Sequence, residues 1–131
     1  MSYILNFEHR SSYLYISVTG ENSSENIIHC LAEVRDLCEQ YKCTDVLIVE
    51  NLGGPSLDQF SIFDIISKVS EQTIKVVKNI AYMDINPAHN KDEMAFAENV
   101  AVNRGVNVQI FTTIHAAERW LEKQGEPGGN G

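Results

Sequence analysis

The run Phe96–Leu121, FAENVAVNRGVNVQIFTTIHAAERWL, decides the fold class, because three elements follow one another in it with almost no linker. Up to Arg104 the alanines and valines recur at helical spacing, and Gly105 stands where a helix commonly closes on a left-handed residue. Val106–Phe111 then alternates as a short strand does. Thr112 or Thr113 can cap a last amphipathic helix that brings Ala117, Trp120 and Leu121 to one side. Helix, strand and helix joined this tightly form the closing unit of a layered α/β domain.

Upstream of that run, Val76–Met83 reads as a buried strand and Asp84–Asn90 (DINPAHN) as the turn into the Ala/Val helix. Asp45–Asn51 holds the uninterrupted VLIV expected of a central parallel strand covered on both faces. Between these strands lie the loop NLGGP, Asn51–Pro55, and a helix opened by Ser56, with Gln59 three residues on at capping-box spacing. Leu57, Phe60, Ile62, Phe63, Ile65, Ile66 and Val69 are too many apolar residues for one stripe, so more than one face of this helix needs cover. An earlier helix carries the single stripe Ile27, Leu31, Val34, Cys38 and Tyr41. Asn22 or Ser23 is its N-cap, and Glu25 completes a capping box if Asn22 is the cap. The chain opens with a hairpin, Tyr3–Glu8 and Tyr13–Val18 around the polar turn His9–Ser12. The expected fold is α/β: one mixed five-stranded sheet, an N-terminal hairpin followed by parallel strands, flanked by four helices. Residues 1–122 are expected to form one domain, and the Gly-rich residues 123–131 a disordered tail.

With 131 residues and 44% hydrophobic content, the chain can bury a real core. Its formal net charge of -8, from 18 acidic against 10 basic residues, repels a phosphate backbone, and the basic residues are scattered, so nucleic acid is excluded as a partner. No charged-then-apolar leader opens the chain, and no apolar run approaches the roughly 20 residues that span a bilayer. A soluble, cytoplasmic protein without a transmembrane segment is expected. Cys30 and Cys38 on one helix would lie about 12 Å apart along its axis, beyond the roughly 7 Å limit for a disulfide. Both read as small core thiols, whereas Cys43, at the end of the helical pattern, is expected at the surface. No C-x-x-C spacing marks a zinc site, and no cofactor is implied.

The element order, together with the ending NRGVNVQIF followed by AAERWL, resembles the STAS family, the domain shared by sulfate transporters and anti-sigma factor antagonists. Within that family the likeness is to the small SpoIIAA-like branch and its uncharacterised bacterial members, and it covers roughly Tyr13–Leu121. The resemblance implies a sheet in sequential order and a protein-binding switch rather than an enzyme. In phosphorylated members the acceptor lies in an Asp-Ser-Ser-Gly or Asp-Ser-Thr-Gly motif at the start of the helix after the central strand. The equivalent place here holds Gly53-Gly54-Pro55-Ser56-Leu57, so Ser56 alone carries over as a phosphoacceptor.

A phosphate on Ser56 would be favoured at a helix N-terminus, although an N-cap role accounts for the serine without one. Gly53 and Gly54 lack the pattern of a phosphate or dinucleotide loop and read as a turn. Asp84, His89, Asp92 and Glu93 gather at the end of a parallel strand, where open α/β sheets place ligands, but Asp92 and Glu93 also suit the first turn of a helix. The expected contact surface joins Asn51, Gly53, Gly54 and Ser56 to Phe60 and Phe63, for an unidentified protein partner or a second copy of the chain, since a homodimer would cover the surplus apolar surface. The alternatives are a carrier of a small apolar ligand or lipid between the Leu57–Val69 helix and the sheet, and an enzyme using Asp84, His89 and Glu93.

Overall fold

In the computed structural model, which describes residues 3–125, β1 (Tyr3–His9) and β2 (Leu14–Glu21) are followed by α1 (Ser24–Tyr41), β3 (Asp45–Gly53), α2 (Gln59–Val76), β4 (Asn79–Asp84), α3 (Lys91–Asn103), β5 (Val108–Ile110) and α4 (Ile114–Gly125). The strands form one sheet in the order β1-β2-β3-β4-β5, with β1 antiparallel to β2 and all other pairs parallel. This is the expected α/β architecture.

Period-two alternation along β3 sorts its side chains between two layers. Val46, Ile48 and Leu52 join Ile16, Ile80, Val34 and Ala101 under α1 and α3, whereas Leu47 and Val49 meet Ala81, Met83, Ala117 and Leu121 under α4. Three helices therefore cover one face and a single helix the other. On α1 the fully buried line is Asn26, Cys30, Val34 and Cys38, with Ile27, Leu31 and Tyr41 half-buried beside it. Helix α2 packs mainly on α1 and α3 rather than on the strands. It stands off the sheet as a bridge.

Several local expectations need correction. Asp58, not Ser56, caps α2: its carboxylate accepts the Ser61 N–H at 2.7 Å, and these peptide donors hold the Asp58 carboxyl below its usual range. A carboxylate there also meets the positive end of the helix. Ser23 caps α1, taking the Asn26 N–H at 3.1 Å, so the Asn22–Glu25 capping box does not form. Strand β3 runs on through Leu52 and Gly53, which were expected in the loop, because Gly20 and Glu21 of β2 pair with them. Cys43 is buried, not exposed, with its thiol directed at the Asp45 carbonyl. Helix α4 continues to Gly125, into the stretch expected to be disordered; residues 126–131 lie outside the described residues. Gly105 has φ 92 and closes α3 as expected, and the Thr113 hydroxyl accepts the Ala116 N–H to start α4. Among the described residues no helix is long and apolar enough to cross a membrane.

Leu47 is fully buried, whereas Ile4 on β1 is 63% exposed. Leu47→Ala is expected to lower the unfolding free energy by about 2–5 kcal/mol, and Ile4→Ala to change it by less than about 0.5 kcal/mol. Urea denaturation of the two variants measures both.

Candidate functional site

The β3–β4 register sets Ile48 opposite Tyr82 and Glu50 opposite Asp84. Directly paired residues of neighbouring strands point to the same face, so Glu50, Tyr82 and Asp84 all reach the three-helix side at the carboxyl ends of their strands. Glu50 ends the buried run of β3 and is only 5% exposed. A buried carboxylate needs compensation, and the Tyr82 hydroxyl donates to Glu50 Oε1. Burial nevertheless pushes the Glu50 carboxyl up to about 7; the Tyr82 hydrogen bond and the charge of His89 oppose the rise, and the Asp84 charge adds to it. Burial and the adjacent Glu50 likewise hold the Tyr82 phenol well above its ordinary value.

Beside this pair, two loops are locked together. His89 Nδ1 lies 2.6 Å from Asp84 Oδ2, and His89 Nε2 lies 3.0 Å from the Gly54 carbonyl oxygen. A neutral imidazole has one N–H, whereas this ring meets an acceptor at each nitrogen; both bonds are donated only by the imidazolium. Burial disfavours that charge, but the Asp84 and Gly54 hydrogen bonds, with the charges of Asp84 and Glu50, outweigh it and raise the His89 pKa. The Asn86 side chain donates to the Leu52 carbonyl at 2.8 Å, and the Asn90 N–H to Ser56 Oγ at 2.9 Å. From the other side, Asn22 donates through its side chain to the Pro55 carbonyl and through its N–H to the Gly53 carbonyl, both at 2.8 Å. Gly54 has φ 94, a conformation that glycine adopts without strain, and it turns its carbonyl toward His89.

These groups form the polar end of a cavity of about 170 Å³ under α2. Its walls are Ile27 and Leu31 from α1, Ile62, Ile65, Ile66 and Val69 from α2, Met94, Ala97 and Ala101 from α3, and Ile48, Ile80, Val108 and Ile110 from the sheet. Ser70 and Thr73 also line it, but their hydroxyls bond back to the carbonyls of Ile66 and Val69 in their own helix. An apolar cavity of about 150 Å³ in a protein core stays dry and admits benzene, so this space is of ligand size.

Of the residues singled out in the sequence, Asp84, His89, Glu93 and Ser56 all border this cavity. Gly53 and Gly54 take part through their carbonyls. Asn51 is exposed at the end of β3. Phe60 and Phe63 are not brought to the cavity: they lie on the exposed side of α2, 81% and 46% accessible, with the Arg104 guanidinium 4.9 Å from the Phe63 ring centre. Among the described residues no group of three or more His, Cys, Asp or Glu side chains is arranged to hold a metal ion. The sequence reading missed Glu50 and Tyr82. One signal was present: a carboxylate directly after VLIV has to share that strand's burial.

No protein-family model and no curated protein matches this chain.

The folded chain holds a proton on Glu50 up to about pH 7, whereas the free carboxyl loses it near 4.5. The resulting stabilisation is fully present below about pH 4.5 and is lost as pH rises through about 7, on the order of 3 kcal/mol in all. His89, also raised, adds to the same trend by losing its contribution above its ordinary value of 6.5. Between pH 4.5 and 8, urea unfolding is expected to show the wild type losing about 3 kcal/mol more than Glu50→Gln. Parallel pH profiles would mean that Glu50 ionises freely in the folded state.

Proposed function

We propose that this protein is a non-enzymatic binding module, a carrier or sensor of a small, largely apolar ligand held between α2 and the sheet. The observation that carries this reading is the 170 Å³ cavity, whose walls are apolar over most of their extent and whose charged groups Glu50, Asp84 and His89 gather where β3 and β4 end. Such a space gives a ligand hydrophobic contact over its body and a few oriented polar contacts at one point, the usual division of labour in small-molecule sites.

The acid–base alternative has part of its geometry, since Asp84 and His89 are in contact and Glu93 borders the same cavity. Both imidazole nitrogens are engaged, however, one by a carboxylate and one by a backbone carbonyl, which leaves no lone pair to accept a proton from a substrate. The dyad serves better as the clasp between the β3–α2 and β4–α3 loops.

A second reading, the STAS-like protein-interaction module, is favoured by the exposure of Phe60 and Phe63 on the outer side of α2. The two readings are compatible, because one helix carries the cavity wall inside and the aromatic patch outside. Ser56 would then be a control point: its hydroxyl contacts Asn90, the N-cap of α3, so a phosphate there would meet the positive end of α3 rather than α2.

Benzene is expected to shift the backbone amide resonances of Ile65, Val69 and Ala101 in a saturable titration. Ala97→Phe, which fills the cavity from α3, is expected to abolish the shifts while leaving the remainder of the spectrum native. Wild-type protein that shows no saturable shift would remove the ligand-binding reading.

A further inference from the structure

The cavity carries a charge pattern that discriminates among ligands. Among the described residues four carboxylates border it, Glu50, Asp84, Glu93 and Glu98, against one basic side chain, His89, with no lysine or arginine in its lining. Two of the four already have other partners: Asp84 is paired with His89, and Glu98 accepts the Ile110 N–H through Oε2 at 2.9 Å. Glu50 differs in position. It sits at the junction between the apolar walls and the polar end, and among the described residues its hydrogen-bond partner is the Tyr82 hydroxyl, on Oε1. Its second oxygen is left for a donor from within the cavity.

Above about pH 7, where Glu50 is ionised, a fatty carboxylate entering head-first would meet its negative charge, and His89 cannot turn to it without releasing Asp84 or Gly54. An alcohol could donate one hydrogen bond to Glu50 without adding a charge of its own. An ammonium could donate a charge-assisted one and relieve the repulsion between Glu50 and Asp84.

Building on the ligand-binding reading, we propose that the ligand of this cavity is a small primary amine with an apolar body, its ammonium donated to Glu50 and its body lying against Ile65, Val69 and Ala101. Selectivity then comes from the acidic end, and capacity from the apolar walls. With a volume near that of a benzene-sized cavity, the body held inside is a single ring or a short alkyl chain.

The test is an amide-shift titration at pH 8, where Glu50 is ionised, with hexylamine, hexanol, hexanoate and benzene, which share an apolar body of similar size and differ in the head. Hexylamine is expected to bind about tenfold or more tightly than hexanoate, the gain of one buried charge-assisted hydrogen bond, with hexanol between them. Glu50→Gln keeps an acceptor for Tyr82 and is expected to weaken hexylamine about tenfold while leaving benzene unchanged. Hexanoate binding as tightly as hexylamine in the wild type would overturn the amine assignment without recourse to any variant, and so would hexylamine binding unaltered by Glu50→Gln when benzene reports an intact cavity. In both cases benzene binding would leave the ligand-binding reading standing. Failure of all four probes, benzene included, would remove that reading and the amine assignment with it.

Discussion

Every residue of β3 from Val46 to Glu50 is buried, because the strand has hydrogen-bonded neighbours on both edges and helices on both faces. Four of these positions are apolar, and their burial drives the layers together. The fifth is a carboxylate with nowhere else to go. Once β3 is central and its register with β4 is set, Glu50 must find a donor on the three-helix side, and Tyr82 on the adjacent strand supplies it. The polar end of the cavity is therefore a consequence of how the sheet is assembled, and the same register delivers Asp84 to the same place.

Helix α2 explains why a space exists at all. Its abundance of apolar residues is more than one packing face requires, and the helix meets that surplus by bridging α1 and α3 instead of settling on the strands. Ile62, Ile65, Ile66 and Val69 consequently look onto a gap above Ile48 and Ile80, while Phe60 and Phe63 face outward. The loops at the carboxyl end are held by directional bonds rather than by apolar burial: His89 to Asp84 and Gly54, Asn90 to Ser56, Asn86 to Leu52, Asn22 to Pro55. These bonds fix the polar groups at the rim of an apolar interior.

The opposite face shows what the sheet does without such a helix. There α4 alone lies on the strands, Ala117 and Leu121 are buried against Leu47 and Met83, and Trp120 tilts against Phe111 with 5.7 Å between ring centres. At the edge of this layer, Glu118 accepts hydrogen bonds from Tyr13 and Arg10, and the Arg10 guanidinium stacks over Tyr15 at 4.2 Å. Small and large buried residues form the core on this side.

The element order, the two-faced burial of VLIV, the single stripe of α1 and the closing Gly105 turn were all legible in the sequence, because each is a matter of local periodicity or of one residue's backbone preference. The surplus of apolar residues in α2 was legible too, though not its resolution into an inner wall and an outer patch. Ser56 looked like a cap because serine favours that position, yet Asp58, two residues later, won the role once the loop had been drawn toward Asn22 and Asn90. Asp84 and His89 could be named as a pair from their place at the end of a strand, whereas their lock onto Gly54 could not, since it joins residues 35 positions apart. What the sequence determined by itself is the α/β layering, through periodicities that act over a few residues. The cavity, its acidic end at Glu50 and the clasp around it were decided only by tertiary structure, because strand register and the stand-off of one helix depend on all the layers packing at once.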